Sequence, residues 1–197
     1  ADEGSYFIAQ NPTVGTGIDG IVAADGAEGL ENLFYIENTS ATKRIYLDYL
    51  RLIPTAVGAN GTTTRFVSAI HSAARYSSGG TAITPQNASP SSGEGTVATV
   101  YFGALVTTAP AGLTIMDHGA LRLGVIKVVG DIYLFDFGGD KLDMPPVVTS
   151  GTAQALVPWR HPPVVLGQNE CFTLEVYGAS QSATAATFEF QARWWER

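Results

Sequence analysis

Apolar residues recur at every second position along most of this chain. From Cys171 to Tyr177, Phe172, Leu174 and Val176 fall on one side, with Thr173 and Glu175 on the other. From Thr187 to Trp194 the same alternation sets Phe188, Phe190, Ala192 and Trp194 against Glu189, Gln191 and Arg193. A period of two belongs to a strand with one face in a core and one in water. Both segments are therefore predicted as strands of an antiparallel sheet. Leu30 to Glu37 and Ile45 to Ile53 are rich in Leu, Ile, Tyr and Phe and are predicted strands, joined through Asn38 to Thr42. Thr96 to Thr107, Leu121 to Val129 and Ile132 to Phe137 add three more, and Gly130-Asp131 fits a tight hairpin turn between the last two. Arg65 to Arg75 admits two readings, because Phe66, Ala69, Ile70, Ala73 and Ala74 would also share a helical face. Its flanks offer no helix caps, so a strand is preferred.

Three regions break the alternation. Residues 1–29 carry six glycines and read as an extended acidic arm with one short strand, Ser5 to Ala9. Tyr76 to Gly95 is dominated by Ser, Gly, Thr, Pro and Asn and reads as the longest loop of the body, of a length often tied to function. Gly138 to Pro163 holds five prolines, with short strands predicted at Val147-Val148 and Ala155 to Val157. Eight or nine short strands, Gly- and Pro-rich connections and almost no helix predict an all-β fold, a two-sheet antiparallel β-sandwich. The long excursions between strands favour the jelly-roll version. The expected organisation is an arm over 1–29 and one jelly-roll domain over 30–197.

Charge sharpens this picture. The formal net charge of −7 comes entirely from the first 42 residues, which hold Asp2, Glu3, Asp19, Asp25, Glu28, Glu31 and Glu37 and no Lys or Arg. From Lys43 onward eleven acids face eleven bases, so the body is neutral. Charged residues are 15% of the chain, against about 25% in an ordinary soluble domain. Sparse surface charge suits a part that is packed against other parts. Only three bases are lysines, Lys43, Lys127 and Lys141. That scarcity argues against a phosphate-backbone partner, so no nucleic acid is expected. The excess of arginine leans toward protein contact. No apolar run reaches the roughly 18 residues of a membrane span, and no signal peptide is visible, so no membrane partner is expected. The single Cys171 lies in an alternating run and reads as a buried, inert thiol.

Reactive constellations are sparse. His71, His118 and His161 are far apart and lack metal-ligand spacing. Asp131, Asp136, Asp140 and Asp143 form the one acidic cluster of the body, without the dense spacing of a calcium loop, and read as turn residues. Neither a nucleophile elbow nor a phosphate-binding Gly loop occurs. The Asn-x-Ser/Thr sites at Asn38, Asn60 and Asn87 read as turn asparagines. No catalytic, cofactor-binding or metal-binding residue is assigned and no cofactor is expected.

The terminal Arg193-Trp194-Trp195-Glu196-Arg197 does stand out. Alternation with Phe188 and Phe190 sends Trp194 into the core and Trp195 outward. Trp195 is then either covered by the N-terminal segment or part of an interface.

Two stretches resemble jelly-roll virion proteins of tailed bacteriophages, the decoration, cement or head-fibre subunits on the outside of capsids. One runs from Arg75-Tyr76-Ser77-Ser78-Gly79-Gly80 through Thr84-Pro85-Gln86-Asn87. The other runs from Pro162-Pro163-Val164-Val165-Leu166-Gly167 through Asn169-Glu170 to Trp194-Trp195-Glu196-Arg197. Together they cover a quarter to a third of the chain. The resemblance implies a non-enzymatic virion protein, often trimeric, made in the host cytoplasm and bound to the major capsid protein on the capsid surface. A carbohydrate-binding or host-adhesion module on the same scaffold is the first rival, with Tyr76 and Asn87, or Tyr133 and Asp131, as its platforms. A hydrolase with an unrecognised site is the second.

Overall fold

The computed structural model describes residues 5–20, 31–56, 64–108, 113–120, 129–130, 132–137, 156–160, 162–178 and 187–197. Among these residues there are fourteen strands and no helix. They are β1 (Tyr6–Gln10), β2 (Ile18–Asp19), β3 (Glu31–Asn38), β4 (Ile45–Ala56), β5 (Thr64–His71), β6 (Tyr76–Ile83) and β7 (Gln86–Asn87). Then follow β8 (Ala98–Thr107), β9 (Leu113–Ala120), β10 (Ile132–Asp136), β11 (Leu156–Arg160), β12 (Val165–Leu166), β13 (Cys171–Gly178) and β14 (Thr187–Glu196).

The strands form two sheets. The eight-stranded sheet runs β11-β10-β4-β14-β1-β7, with β12 also on β4 and β2 on β14. The six-stranded sheet runs β6-β8-β3-β13-β5-β9. All pairs are antiparallel except β10 with β11 at the sheet edge, which departs from the purely antiparallel expectation.

Alternation does what the sequence foretells. Phe188, Phe190, Ala192 and Trp194 of β14 are all buried, as are Phe172 and Leu174 of β13. Aromatic rings from the two sheets meet across one core: Phe102 stacks on Phe190 at 5.0 Å between centroids. Phe66 meets Phe135 edge-on at 5.7 Å, and Phe137 meets Phe172 at 5.2 Å. Each buried aromatic contributes about 1.5–3 kcal/mol through removal from water. The segment from Arg65 is a strand, as preferred, and Gly130 turns with a φ of +85°. Leu121 to Val128 and Val147-Val148, both predicted as strand, lie outside the described residues, as does Asp131, while Val129, predicted to end the first of these strands, is in the turn with Gly130.

Two expectations need correction. Tyr76 to Gly95 contains an eight-residue edge strand, β6, as well as β7, so it is not one long loop. Only Ile83 of β6 is buried, and Gly79 and Gly80 both take positive φ (75° and 70°) where its register on β8 shifts. Such a strand shows no alternation in its sequence because it has almost no inner face. The arm is the second correction. Over residues 5–20 it belongs to the sandwich: β1 lies between β14 and β7, with Phe7 and Ala9 in the core. Asn11 then prolongs the pairing with its side chain, accepting from Phe190 N at 2.7 Å and donating to the Phe188 carbonyl at 3.2 Å.

Candidate functional site

Among the described residues, those singled out for chemistry do not converge. His71 is buried on β5, while His161 lies outside the described residues. Asp136 is on β10; Asp131, Asp140 and Asp143 lie outside the described residues. Among the described residues no three His, Cys, Asp or Glu side chains are grouped to hold a metal ion. A depression of about 420 Å³ is lined by Gly17, Ile18, Asp19, Gly80, Thr81 and Phe102, with Asp19 as the one titratable group among its described lining residues. Neither sugar platform forms. Tyr133 alternates inward with Phe135 and is 1% exposed. Tyr76 is on β6 of one sheet and Asn87 on β7 of the other. Asn87 accepts from Ser89 N and donates to the Glu94 carbonyl. Asn38 is buried, donating to the Lys43 and Leu166 carbonyls and accepting from Ser40 N. Both asparagines are the last residues of strands, β3 and β7, and their side chains brace the turns that follow, so they are not turn residues as the sequence reading had them; Asn60 lies outside the described residues.

What the fold does assemble is the outer face of the eight-stranded sheet. Strand register sets its side chains in rows. Tyr46, Trp195 and Tyr6 stand abreast on β4, β14 and β1. Beside them come Tyr49, Arg193 and Ile8, then Arg51, Gln191 and Gln10. Neighbouring strands are about 4.8 Å apart, so each row brings its side chains into contact range. Tyr6 packs on Trp195 at 4.4 Å between centroids, and the Arg197 guanidinium sits 5.9 Å from the Trp195 ring. Arg193 lies 5.1 Å from the Tyr49 ring. Trp194 is the core tryptophan and Trp195 is half-buried beneath Tyr6. The N-terminal segment therefore covers one side of Trp195, as the first of the two readings had it.

Acids and bases on this face differ in how far they are engaged. Asp48 accepts the Tyr6 hydroxyl at 2.5 Å, and Glu189 accepts Gly15 N. Burial, reinforced by Asp48, holds the Tyr6 phenol well above its ordinary value, so it remains a donor. The guanidinium groups of Arg44, Arg51, Arg193 and Arg197 have no carboxylate within ion-pair distance among the described residues. Buried Nε of Arg193 has no hydrogen-bond partner among the described residues. A guanidinium carries five N–H donors in a fork that fits carboxylates, so the face presents unused donors between aromatic rings. No known protein family, curated protein or solved structure matches the chain. Tyr, Trp and Arg are the residues that dominate binding energy at protein interfaces, and this face concentrates them.

Sequence reasoning found Trp195 and missed its neighbours. Tyr46 and Tyr49 are legible as outward positions opposite Leu47, Leu50 and Leu52, but their union with Tyr6 depends on pairing between the two ends of the chain.

The outer side of the six-stranded sheet is more closed. Tyr35, Cys171 and Leu105 form a second apolar cluster beneath Tyr101. Tyr76 stacks on Tyr101 at 4.0 Å, and the Tyr35 hydroxyl donates to Glu37 at 2.6 Å. Burial pushes the Cys171 thiol up to about 11, so it is inert at neutral pH. His71, 2% exposed, bonds Thr173 Oγ1 through Nε2 at 3.1 Å, while Nδ1 has no partner among the described residues. Burial, with the nearby Arg75 charge, lowers its affinity for a proton. The unfolded chain takes up a proton at His71 below about pH 6.5, where the folded chain still does not. Stability is therefore full above that pH and falls as acid is added, by at most about 1.4 kcal/mol per pH unit for one proton. His71→Gln is expected to flatten this part of the urea midpoint against pH; an unchanged slope refutes it.

Proposed function

We propose that this chain is a non-catalytic structural protein that works while covered by neighbours: a jelly-roll decoration or cement protein on the outside of a phage capsid, assembling as a trimer. The observation that carries the reading is the outer face of the eight-stranded sheet, where Tyr6, Tyr46, Tyr49, Trp195 and open arginines stand in place of a water-facing charged surface. The resemblance of Arg75–Asn87 and Pro162–Arg197 to virion decoration proteins supplies the partner, the major capsid protein. The jelly-roll reading is supported by chain order, since β3, β4 and β5 alternate between sheets and β1 lies against β14.

Co-sedimentation with assembled capsid shells tests the reading. Retention on shells, lost on competition with excess free protein, is the expected result; a protein left wholly in the supernatant refutes it. The row of Tyr46, Trp195 and Tyr6 favours one second reading, a carbohydrate-binding or adhesion module, because aromatic rings beside polar groups also serve sugars. Selective signals on a glycan array, with no retention on shells, would replace the first reading by the second.

A further inference from the structure

We propose that residues 72–75 form an acid-released strap. When His71 takes up a proton, this link lifts from the outer side of the six-stranded sheet and uncovers Tyr35 and Cys171, while the two sheets stay folded. The device is separate from assembly and holds whatever the protein packs against. The link joins β5, next to one edge of the sheet, to β6 at the other. Ser72, Ala73 and Ala74 are exposed, whereas Tyr35 and Cys171, to which the link is bonded, are each 0% exposed. Long bonds hold its backbone to these two side chains. Cys171 Sγ donates to the Ala73 carbonyl at 3.4 Å, and the Tyr35 hydroxyl accepts from Arg75 N at 3.2 Å and Tyr76 N at 3.4 Å. A thiol is a weak donor, and amide bonds of this length are past their optimum. β5 itself is paired with β13 residue by residue from Thr64 to His71. The exposed link is therefore the part that opens at the lowest cost.

His71 is the root of the link. It stands opposite Cys171, is 2% exposed, and has Nε2 engaged with Thr173 Oγ1 and Nδ1 without a partner among the described residues. A proton added there makes a buried cation with a further N–H to satisfy. The groups around it offer no counter-charge. Arg75 of the link is a like charge. β13 faces it with Cys171 and Thr173, and Glu175 stands only at the level of Val67, as does Asp117 of β9, with His118 beyond. Glu37 lies one strand past Cys171, where it accepts the Tyr35 hydroxyl. Lifting the link takes Arg75 away and admits water to the imidazole. The open form then takes its proton near the ordinary value of about 6.5 and the closed form only in stronger acid, so the open population rises as pH falls through that value, by at most about tenfold per pH unit.

Cys171 is the one cysteine of the chain, so thiol chemistry reads the link directly. Dithiodipyridine exchanges with thiols in acid as well as at neutral pH and releases one pyridinethione for each thiol it modifies. Its rate on the full chain, divided by its rate on glutathione at the same pH, should rise about tenfold or more between about pH 7 and about pH 5. In His71→Gln the ratio should stay level. A level ratio in the wild type, or a thiol that never reacts, overturns the proposal, and so does an equal rise in His71→Gln. Amide exchange at Phe188 and Phe190 that quickens in step with the thiol also overturns it, because the whole sandwich is then opening. Should His71→Gln fail to fold, Arg75→Gln takes its place. Without that charge the closed form is easier to protonate, so the rise should shrink, and an undiminished rise counts against the proposal.

Discussion

Glu196→Ala should lower the stability of the folded chain by about 3–5 kcal/mol, because it orphans the buried Trp194 indole and removes two further charge-assisted bonds. Glu196 is 2% exposed, one residue from the end of the chain. Its carboxylate accepts Trp194 Nε1 at 3.0 Å, the Thr96 hydroxyl at 2.5 Å and Val97 N at 3.1 Å. One side chain thus fastens the segment before β8 to the last strand, and fixes the largest ring of the core. Charge-assisted bonds to a carboxylate are stronger than neutral ones, and a buried donor left unpaired costs about 1–3 kcal/mol. The buried Trp194 indole N–H and the half-buried Val97 amide account for most of the loss. Glu196→Gln keeps an acceptor oxygen in place and should lose less, about 1–2 kcal/mol. Glu94→Ala provides the contrast. Its 2.9 Å pair with Lys43 is exposed, and exposed pairs contribute about 0–1 kcal/mol. Urea unfolding of the three variants decides the matter: a Glu196→Ala midpoint no lower than that of Glu94→Ala refutes the assignment.

How legible the molecule was follows from where each residue's partners lie. The inward residues of β14 and β13 were readable because burial imposes a two-residue period on the sequence itself. β6 was not, since a strand exposed on nearly every residue leaves no such record; only its hydrogen bonds to β8 make it a strand. β1 was readable as a strand but not as part of the sheet, because Phe7 and Ala9 find their cover on β14, more than 180 residues away. The candidate site divides in the same way. Trp195 could be placed outward from local alternation, whereas the Tyr46–Trp195–Tyr6 row exists only once three strands are in register. Residue spacing also proposed Tyr133 for a sugar site, and the alternation it shares with Phe135 takes it into the core.

Gly103→Ala should be nearly as damaging as loss of the Glu196 carboxylate, at about 3–4 kcal/mol, for a steric reason. Gly103 sits in β8 with φ at +88°, a conformation costing an L-residue about 1–2 kcal/mol. A Cβ there would stand 2.5 Å from Ile18 Cγ2 and 2.6 Å from the Asp19 carbonyl oxygen, so β2 would have to move. Overpacking of this kind adds about 1–3 kcal/mol. Gly15→Ala separates the two costs, since Gly15 has φ at +81° but nothing within 4 Å of the added carbon. The difference between the variants measures the seat of β2 on β8. Hydrogen exchange should speed up at Ile18 and Asp19 in Gly103→Ala while Phe7 and Ala9 of β1 remain protected. β2 is the short bridge that pairs with β14 of one sheet and packs on β8 of the other, and the acidic stretch beyond Asp19 starts from it. Equal losses in Gly103→Ala and Gly15→Ala would mean that β2 rests on β8 without packing energy, and the anchor would then have to be sought on β14 alone.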